Sequence, residues 1–310
     1  MLKVGYIGLI GMPNAGKSSL LNRLVQDKIS IVTDKPQTTR RRVLGLVSTP
    51  TSQMIFVDAP GIIGADHGLN AFLEKEAEEV MADSDVLVAV LSLKEKEKTN
   101  IVKVLDMVST KGKKWAAVVT HSDLQEYARR LPIIEEMVTS RGGRMWVIEP
   151  LRQEKQENLD EMLATLTEWL PESPQPFYDP ESLTPHSVRD IAAEIIREKG
   201  FESLHHELPY SLAVRIEKFD ESSPTLTKIY GHIMVSRESH KLIVIGSKGS
   251  TIKKIGTESR LALEKLLQTK VFLDLKVIVR ENWMDNQRMM QELGYFHPKK
   301  DKSSVAEKAR

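Results

Sequence analysis

The segment of residues 11–18 constrains the fold of this chain more than any other part of the sequence. It is Gly-Met-Pro-Asn-Ala-Gly-Lys-Ser, which fits the pattern G-x-x-x-x-G-K-[ST]. It lies between a predicted strand at 3–10 and a predicted helix at 17–25, the context expected of a phosphate-binding loop. Backbone N–H groups of such a loop surround phosphate oxygens, and the start of the helix adds the positive end of its dipole. We expect Lys17 to reach the β- and γ-phosphates of a nucleotide and the Ser18 hydroxyl to bind Mg²⁺.

A second motif, Asp58-Ala59-Pro60-Gly61, follows an apolar run and begins forty residues beyond Ser18. Alone, this sequence predicts a turn. Behind a phosphate-binding loop it also predicts the acidic partner of Mg²⁺, since nucleotide-hydrolysing proteins of this type place one there. We expect Asp58 to bind magnesium directly or through water, and the Gly61 N–H to contact the γ-phosphate.

A polar, basic run at 37–42, Gln-Thr-Thr-Arg-Arg-Arg, lies between these two motifs and has no periodicity. A hydroxyl here would complete the magnesium shell only when a γ-phosphate is present, which predicts a nucleotide-dependent switch. A solvated loop is the alternative. We interpret Arg40, Arg41 and Arg42, and the lysines near the C-terminus, as solvated surface rather than a dedicated patch.

The order of predicted elements indicates two domains, as does the length of 310 residues. The first region alternates strands and helices, which predicts an α/β fold with a mainly parallel sheet and helices on both faces. Its predicted strands are 3–10, 42–49, 54–58, 86–91, 114–120 and 145–148. Its predicted helices are 17–25, 70–82, 97–110, 131–140 and 158–170. Four prolines, Pro171, Pro174, Pro176 and Pro180, then predict a linker that neither helix nor sheet crosses.

The second region predicts a smaller α+β unit. Its elements are a helix at 188–199, strands at 211–219, 228–235 and 241–245, a helix at 250–268 and a strand at 271–279. We therefore divide the chain into a first domain at 1–172, a linker at 173–186, a second domain at 187–297 and a basic tail at 298–310. The composition of the tail predicts disorder.

The composition excludes several classes of site. With no cysteine, the chain has no disulfide, thiolate metal site or cysteine nucleophile. No apolar run approaches the roughly 18 residues of a membrane-spanning helix, and the first residues do not resemble a signal peptide. We therefore expect a cytoplasmic protein without a transmembrane segment. Six of the histidines show no metal-ligand spacing and are assigned no chemistry: His186, His205, His206, His232, His240 and His297.

Together, these motifs resemble those of the Era family of small GTPases, and the resemblance covers nearly the whole chain. It implies an α/β P-loop GTPase domain followed by an α+β KH domain, with GTP or GDP and Mg²⁺ as ligands. The implied metal ligands are Ser18, Thr39 and Asp58. The residues implied in hydrolysis are Lys17, Asn14, Thr39 and Gly61. The implied nucleotide contacts are Gly11, Met12, Pro13, Asn14, Ala15, Gly16, Lys17, Ser18, Ser19, Asp58, Ala59, Pro60, Gly61, Ile62, Thr120, His121 and Asp123.

Ile62 departs from the pattern of Ras-like proteins, which carry at this position a glutamine that orients the attacking water. An isoleucine side chain has no group that can orient water. In related GTPases with an asparagine in the phosphate-binding loop, a bound K⁺ supplies the missing charge. Asn14 matches that asparagine, so the resemblance implies that K⁺ stimulates hydrolysis.

The second domain resembles a KH module, in which a G-x-x-G loop lets the backbone approach about four nucleotides of single-stranded RNA. By itself the motif predicts only a turn from a strand to a helix. The strand at 273–277, Asn282-Trp283 and the sequence at 293–295 match the Era version of the module. The implied RNA contacts are Gly246, Ser247, Lys248, Gly249, Lys253 and Lys254.

The base-recognition motifs depart from the family. The family has N-K-x-D where this chain has Thr120-His121-Ser122-Asp123. The Asp123 carboxylate can still accept from guanine N1–H and the 2-amino group, whereas adenine has no donor at N1. Capping of the next helix by Ser122 or Asp123 is the alternative. A second family element, a Ser-Ala loop, is expected at 150–153, where Arg152 and Gln153 replace the small pair.

The resemblance predicts a GTP-hydrolysing switch that binds small-subunit ribosomal RNA through the KH domain and acts in assembly of the 30S subunit. It also implies peripheral membrane association at the inner face of the cell membrane. Two other interpretations remain open. One is an RNA-binding protein whose nucleotide domain is a non-hydrolysing scaffold, and the other is a P-loop NTPase with relaxed base choice.

Overall fold

The computed structural model describes residues 1–62, 68–149 and 156–295. One sheet occupies the first half of the chain. Its strands are β1 (Leu2–Ile10), β2 (Val43–Thr49), β3 (Ser52–Asp58), β4 (Val86–Ser92), β5 (Lys114–Thr120), β6 (Arg144–Val147) and β7 (Glu172–Ser173). The order is β2-β3-β1-β4-β5-β6, with β2 antiparallel to β3 and the next five strands parallel. The carboxyl ends of β1, β3, β4, β5 and β6 therefore meet at one edge, where α/β proteins bind their ligands.

Helices cover both faces of this sheet. They are α1 (Lys17–Val25), α2 (Gly68–Asp83), α3 (Lys98–Ser109), α4 (Leu131–Thr139) and α5 (Gln156–Trp169). Apolar residues of α1 and α5 pack on one face, and those of α2, α3 and α4 pack on the other. All seven residues of β4 are buried, as expected of a central parallel strand. The observed strands and helices agree with those predicted for this region to within two residues at each end.

A second, three-stranded sheet follows. Its unit consists of α6 (Val188–Ser203), β8 (Ala213–Ser223), β9 (Leu226–Val235), α7 (Glu238–Ile245), α8 (Ser250–Leu267), β10 (Lys270–Val279) and α9 (Gln287–Glu292). The strand order is β10-β9-β8, with β8 and β9 antiparallel and β9 and β10 parallel. Apolar residues of α6 and α8 form one core with this sheet.

The predicted strand at 241–245 is wrong, because these residues form the second half of α7. Four consecutive apolar residues fit a short strand or a helix equally well by periodicity. The helical phase is evident only from burial: Val244 is fully buried, whereas Leu242 is 69% exposed and Ile243 is 52% exposed. Gly246 ends the helix with a φ of 76°, and its N–H donates to the Leu242 carbonyl at 2.9 Å.

The proline-rich linker contains a strand, contrary to the prediction that no sheet crosses it. Glu172 and Ser173 form β7 between two prolines and pair antiparallel with the start of β1. Two residues suffice for this pairing, and the prolines on either side limit its length. Helix α9 was also not predicted. Asn286 caps its start, since the Asn286 side chain accepts from the Met289 N–H at 3.1 Å.

The two units share a core. Leu69, Phe72 and Leu73 of α2 pack against apolar residues of the second unit, including Trp283 and Tyr295. Trp283 is fully buried, and its indole N–H donates to the Ser211 carbonyl at 2.9 Å. The division proposed at residues 172 and 186 stays a prediction, and the tail at 298–310 lies outside the described residues.

Candidate nucleotide-binding site

The predicted phosphate-binding loop connects the end of β1 to the start of α1. Asn14 and Gly16 lie in the left-handed region, with φ values of 59° and 91°. Gly11 packs so closely on β4 that a Cβ atom there would be 2.4 Å from the Val90 carbonyl oxygen. A Cβ on Gly61 would be 2.7 Å from the Pro13 nitrogen. The glycines of both motifs are thus required where one backbone passes close to another.

Lys17 lies beneath the loop and is 5% exposed. Its Nζ donates to the Gly11 carbonyl at 3.1 Å and to the Met12 carbonyl at 3.0 Å. Burial lowers the pKa of Lys17 from 10.5 to about 8, and the Asp58 carboxylate acts in the opposite direction. A phosphate above the loop would stabilise the charged ammonium, so this lysine is suited to an anionic ligand.

The predicted metal ligands meet at one buried carboxylate. Ser18 Oγ donates to Asp58 Oδ2 at 2.6 Å, and Thr39 Oγ1 lies 2.8 Å from Ser18 Oγ and 3.4 Å from the same carboxylate oxygen. The other carboxylate oxygen, Oδ1, is buried with no hydrogen-bond partner. Burial raises the pKa of Asp58, whereas Lys17 and the neighbouring hydroxyls lower it. An unpaired carboxylate oxygen beside two hydroxyls is an all-oxygen donor set, which fits the preference of Mg²⁺.

Ser30 is a further member of this cluster that the sequence analysis missed. Its hydroxyl donates to Asp58 Oδ2 at 3.2 Å, and the residue is 3% exposed. Asn22 of α1 holds the backbone there, since its Oδ1 accepts from the Ile29 and Ser30 N–H groups at 3.0 and 2.9 Å. No sequence motif marks Ser30.

The basic run is not solvated, so that interpretation is wrong. The Arg40 guanidinium is 2% exposed and donates to three carbonyls of the second unit: those of Leu212 and Tyr210 at 2.7 Å and that of Pro209 at 3.2 Å. Its planar fork satisfies several carbonyls of one turn at once. The sequence cannot reveal this, because the partners lie about 170 residues away.

The two neighbouring arginines are also engaged. Arg41 donates to the Leu293 carbonyl and lies over the Tyr295 ring. Arg42 forms ion pairs with Glu76 and Glu79 of α2 at 3.0 and 2.9 Å. Each arginine that follows Thr39 is therefore held by a different part of the molecule.

The base end of the site lies where β4, β5 and β6 end. A cavity of about 570 Å³ extends from the phosphate-binding loop to this edge, and its wall includes Lys94, Thr120, His121, Asp123, Leu124 and Glu149. Thr120 Oγ1 donates to the Ala15 carbonyl at 2.8 Å, which fastens the base end to the phosphate-binding loop. His121 Nδ1 lies 2.9 Å from Ser92 Oγ. Burial, with Lys94, lowers the pKa of His121 and favours the neutral ring.

Glu149 is a wall residue that the sequence analysis did not name. It follows β6, and its carboxylate accepts from the N–H groups of His121, at 3.2 Å, and Ser122. The base loop was expected at residues 150–153 instead, and these lie outside the described residues. Its position in the sequence could have identified it. Because β5 and β6 are parallel neighbours, residues that follow β6 lie at the same edge of the sheet as those that follow β5.

The G-x-x-G segment joins helices α7 and α8 rather than a strand and a helix. Gly246 and Gly249 have φ values of 76° and 79°, and Lys248 has a φ of 49°. A Cβ on Gly246 would be 2.3 Å from Thr251 Oγ1, whereas a Cβ on Gly249 would meet nothing within 4 Å. The side chains of Ser247, Lys248, Lys253 and Lys254 are exposed.

Comparisons with known proteins match both halves of the chain. The family model described as "50S ribosome-binding GTPase" matches residues 6–121, and that described as "KH domain" matches residues 207–284. GTPase Era of Syntrophus aciditrophicus is 38% identical over 95% of this chain and 96% of its own length. GTPase Era of Trichlorobacter lovleyi is 39% identical over 94% of this chain and 98% of its own length. The chain belongs to the Era family of GTPases. Its predicted family and enzyme class are thereby confirmed.

Solved Era structures share the whole fold. A variant of Aquifex aeolicus Era bound to GDP and AlF₄⁻ has a TM-score of 0.87, with 32% identity over 96% of this chain and all of its own. Era in complex with MgGDPNP and nucleotides 1506–1542 of 16S ribosomal RNA has a TM-score of 0.86 at the same identity and coverage. The predicted fold class, a P-loop GTPase domain followed by a KH domain, is confirmed. Within the described residues, no helix combines the length and the hydropathy needed to cross a membrane.

Proposed function

We propose that this Era-family GTPase couples the γ-phosphate of GTP to its KH domain through the segment that contains Thr39. The observation that supports this most directly is the placement of two neighbouring residues. The Thr39 hydroxyl lies in the Asp58 cluster, and the guanidinium of Arg40 is buried in the second unit. A movement of Thr39 toward a bound metal would therefore also displace Arg40, which is bonded to the KH domain.

Magnesium fits the cluster of Ser18, Thr39 and Asp58, as argued from the unpaired carboxylate oxygen. When bound, Mg²⁺ would neutralise charge between the β- and γ-phosphates. The other contacts to the phosphates and the ion would come from the protein itself. Ser18 and Asp58 would hold the ion, and Lys17 Nζ would donate to phosphate oxygens in place of the Gly11 and Met12 carbonyls. We expect the backbone N–H of Gly61 to contact the γ-phosphate.

For the RNA partner we propose small-subunit ribosomal RNA, with assembly of the 30S subunit as the process. The similarity to the Era structure that contains a 16S ribosomal RNA fragment supports this, as does the exposed G-x-x-G loop with its lysines. The glycine at position 246 permits the tight turn, and the open space around Gly249 leaves its backbone accessible.

For base choice we propose that Asp123 recognises guanine. Asp123 belongs to the wall of the cavity and follows the end of β5. Thr120 supports it by bonding the Ala15 carbonyl, so the loop keeps a connection to the phosphate site. Relaxed base choice is the competing hypothesis, because His121 replaces the lysine of the family pattern.

A titration with fluorescent GDP in Mg²⁺ and K⁺, competed with unlabelled GDP, GTP, ADP and ATP, tests both hypotheses. We expect the guanine nucleotides to compete at least tenfold better than the adenine nucleotides. Equal competition would establish relaxed base choice. The variant Asp123→Ala is the matched control, since it should lose the preference while phosphate contacts remain.

Three finer expectations stay predictions. Asn14, whose side-chain amide donates to the Asp34 carbonyl at 2.8 Å, is the residue expected to bind K⁺. Replacing K⁺ by Na⁺ at equal ionic strength should slow hydrolysis if that expectation is correct. A cytoplasmic location is tested by cell fractionation, and peripheral membrane association by flotation with anionic vesicles.

A further inference from the structure

Residues 120–122 are held from three directions, and Glu149 supplies one of them. From below, Thr120 Oγ1 donates to the Ala15 carbonyl at 2.8 Å. From the β4 side, Ser92 Oγ lies 2.9 Å from His121 Nδ1. From the β6 side, the Glu149 carboxylate bonds the backbone of this segment. Asp123 follows directly, so its position depends on how firmly the segment before it is fixed.

The contact between Glu149 and this segment has the geometry of an anion site made by main-chain groups. Oε2 accepts from the His121 N–H at 3.2 Å, and Oε1 accepts from the Ser122 N–H. His121 has a φ of 60°, which turns two successive N–H groups toward the same side. Two such groups form a concavity that binds a carboxylate or phosphate oxygen. In this protein the Glu149 carboxylate occupies the concavity.

The left-handed conformation of His121 also needs support. A residue with a Cβ rarely adopts positive φ, and it does so where the surroundings hold it there. The bonds to Glu149 favour this conformation over an extended one, because an extended His121 would turn the two N–H groups to opposite sides. The register of the sheet places Glu149 correctly, since the Ile148 N–H donates to the Val119 carbonyl at 3.0 Å beside the end of β5.

We propose that Glu149 is a positioning residue for base recognition. Its carboxylate fixes the backbone of His121 and Ser122 so that the Asp123 carboxylate is presented to the edge of the base. This inference rests on the proposed recognition of guanine by Asp123. Glu149, Lys94 and Asp123 all line the same cavity. The carboxylate of Glu149 acts through the backbone and not on the base.

The test compares GDP with IDP, whose hypoxanthine base lacks the 2-amino group of guanine. A correctly placed Asp123 carboxylate accepts from two donors of guanine and from one of hypoxanthine, so the ratio of their affinities measures its placement. We expect the variant Glu149→Ala to bind GDP about tenfold more weakly, with a lower ratio of GDP to IDP affinity. The variant Glu149→Gln, whose amide oxygen can accept from one N–H, should be intermediate.

The double variant of Glu149→Ala and Asp123→Ala identifies the mechanism. If Glu149 acts through Asp123, adding Glu149→Ala to Asp123→Ala leaves the GDP to IDP ratio unchanged. Glu135→Ala, which removes an exposed carboxylate from α4, is the matched control and should bind like the unaltered protein. Thermal unfolding of each variant shows whether it is folded, and Glu149→Gln keeps the test valid if Glu149→Ala is not.

Different failures have different meanings. If Asp123→Ala leaves the ratio unchanged, the proposed recognition of guanine fails and this inference fails with it. If Asp123→Ala lowers the ratio but neither Glu149 variant does, only the inference about Glu149 is overturned. Tighter GDP binding by Glu149→Gln would also overturn it, because that result means the carboxylate repels the base directly.

Discussion

The chemistry of the phosphate site depends on two oppositely charged residues that are both buried. Lys17 has a pKa lowered to about 8, and Asp58 has a pKa raised by its burial. In each case removal from water disfavours the charged form, and a ligand of opposite charge restores it. Phosphate would do this for the lysine, and Mg²⁺ would do it for the aspartate. We therefore expect the site to bind both ligands together more strongly than either one alone.

The lysine gives a pH-dependent prediction. Below pH 8, Lys17 is protonated with or without nucleotide, so GDP affinity should be flat there. Above pH 8 the free protein loses the proton and binding must restore it, so affinity should fall by up to about tenfold per pH unit. Titrations at pH 7 to 9.5, in buffers of different ionisation enthalpy, measure both the affinity and the proton uptake.

The control for this prediction is Lys17→Ala, which should bind GDP more weakly at every pH but without the proton uptake of the side chain. Ionisation of the base itself is common to both proteins and cancels in the comparison. An unaltered protein with the same pH profile as Lys17→Ala would contradict the assignment.

At the scale of elements, the loop between α1 and β2 is unusual because its partners come from the other unit. The Arg40 guanidinium bonds the carbonyls of the turn before β8, and Arg197 of α6 donates to the Thr38 carbonyl. Arg197 is fully buried and forms an ion pair with Glu194, which lies one turn earlier on the helix. Helix α6 therefore holds the residue before Thr39, and the turn before β8 holds the residue after it.

Arg40→Lys should show the strength of this attachment. A lysine cannot donate to all three carbonyls at once, so at least one buried carbonyl loses its donor. Each buried carbonyl left without a donor costs about 1–3 kcal/mol of stability. We expect the free energy of unfolding to fall by about 3 kcal/mol, measured by urea denaturation. The exposed Arg129 provides the control Arg129→Lys, which should change stability by less than about 0.5 kcal/mol. Equal stability of both variants would show that the arginine fork contributes nothing.

Helix α8 carries the lysines that follow the G-x-x-G loop, and they allow a prediction for RNA. Lys253 and Lys254 are both exposed on its first turn. If each contacts one phosphate of single-stranded RNA, the double variant to alanine should lower the slope of log affinity against log salt by about 1.4. Filter binding at several KCl concentrations gives this slope.

The matched control for the RNA prediction is a pair of exposed lysines of the first unit, Lys96 and Lys98. Their double variant to alanine changes the net charge equally but should leave the slope as it was. A slope that fell by the same amount in both double variants would indicate general charge attraction instead of contacts from α8.

The local sequence pattern predicted most helices and strands. It failed for residues whose contacts lie far away in the sequence. Strand β5 was predicted to the residue because its apolar run is bounded by polar residues. Helix α7 was misassigned because its phase depends on burial against the sheet. The basic run was misassigned because the partners of Arg40 are carbonyls, which every residue has and no motif marks. For the same reason Glu149 was missed, as its partners are backbone N–H groups.

At the scale of the whole molecule, the linker is part of the first sheet. β7 pairs with β1, and the Leu46 N–H donates to the Leu183 carbonyl at 2.8 Å. Gln53 is 1% exposed, and both the oxygen and the nitrogen of its side-chain amide bond the linker. Its Oε1 accepts from the Phe177 and Tyr178 N–H groups at 2.8 and 3.0 Å, and its Nε2 donates to the Tyr178 carbonyl at 2.9 Å.

Gln53→Leu should release the linker while leaving the nucleotide cavity intact. It removes the three hydrogen bonds to the linker, each with a net value of about 1 kcal/mol. We expect faster cleavage of the chain between residues 174 and 185 in limited proteolysis, with GDP affinity unchanged. The exposed Gln287 gives the control Gln287→Leu, for which cleavage should not change. A loss of GDP affinity in Gln53→Leu would mean that the linker supports the cavity as well.

The pairing of β7 with β1 also sets an order of events during synthesis. Leu2 and Lys3 pair with Ser173 and Glu172, so a central strand made among the first residues waits for a partner made 170 residues later. At about 5–20 residues per second, the wait is on the order of 10–30 s. The first sheet is therefore completed only when translation has reached the start of the linker, after all of its other strands have been made.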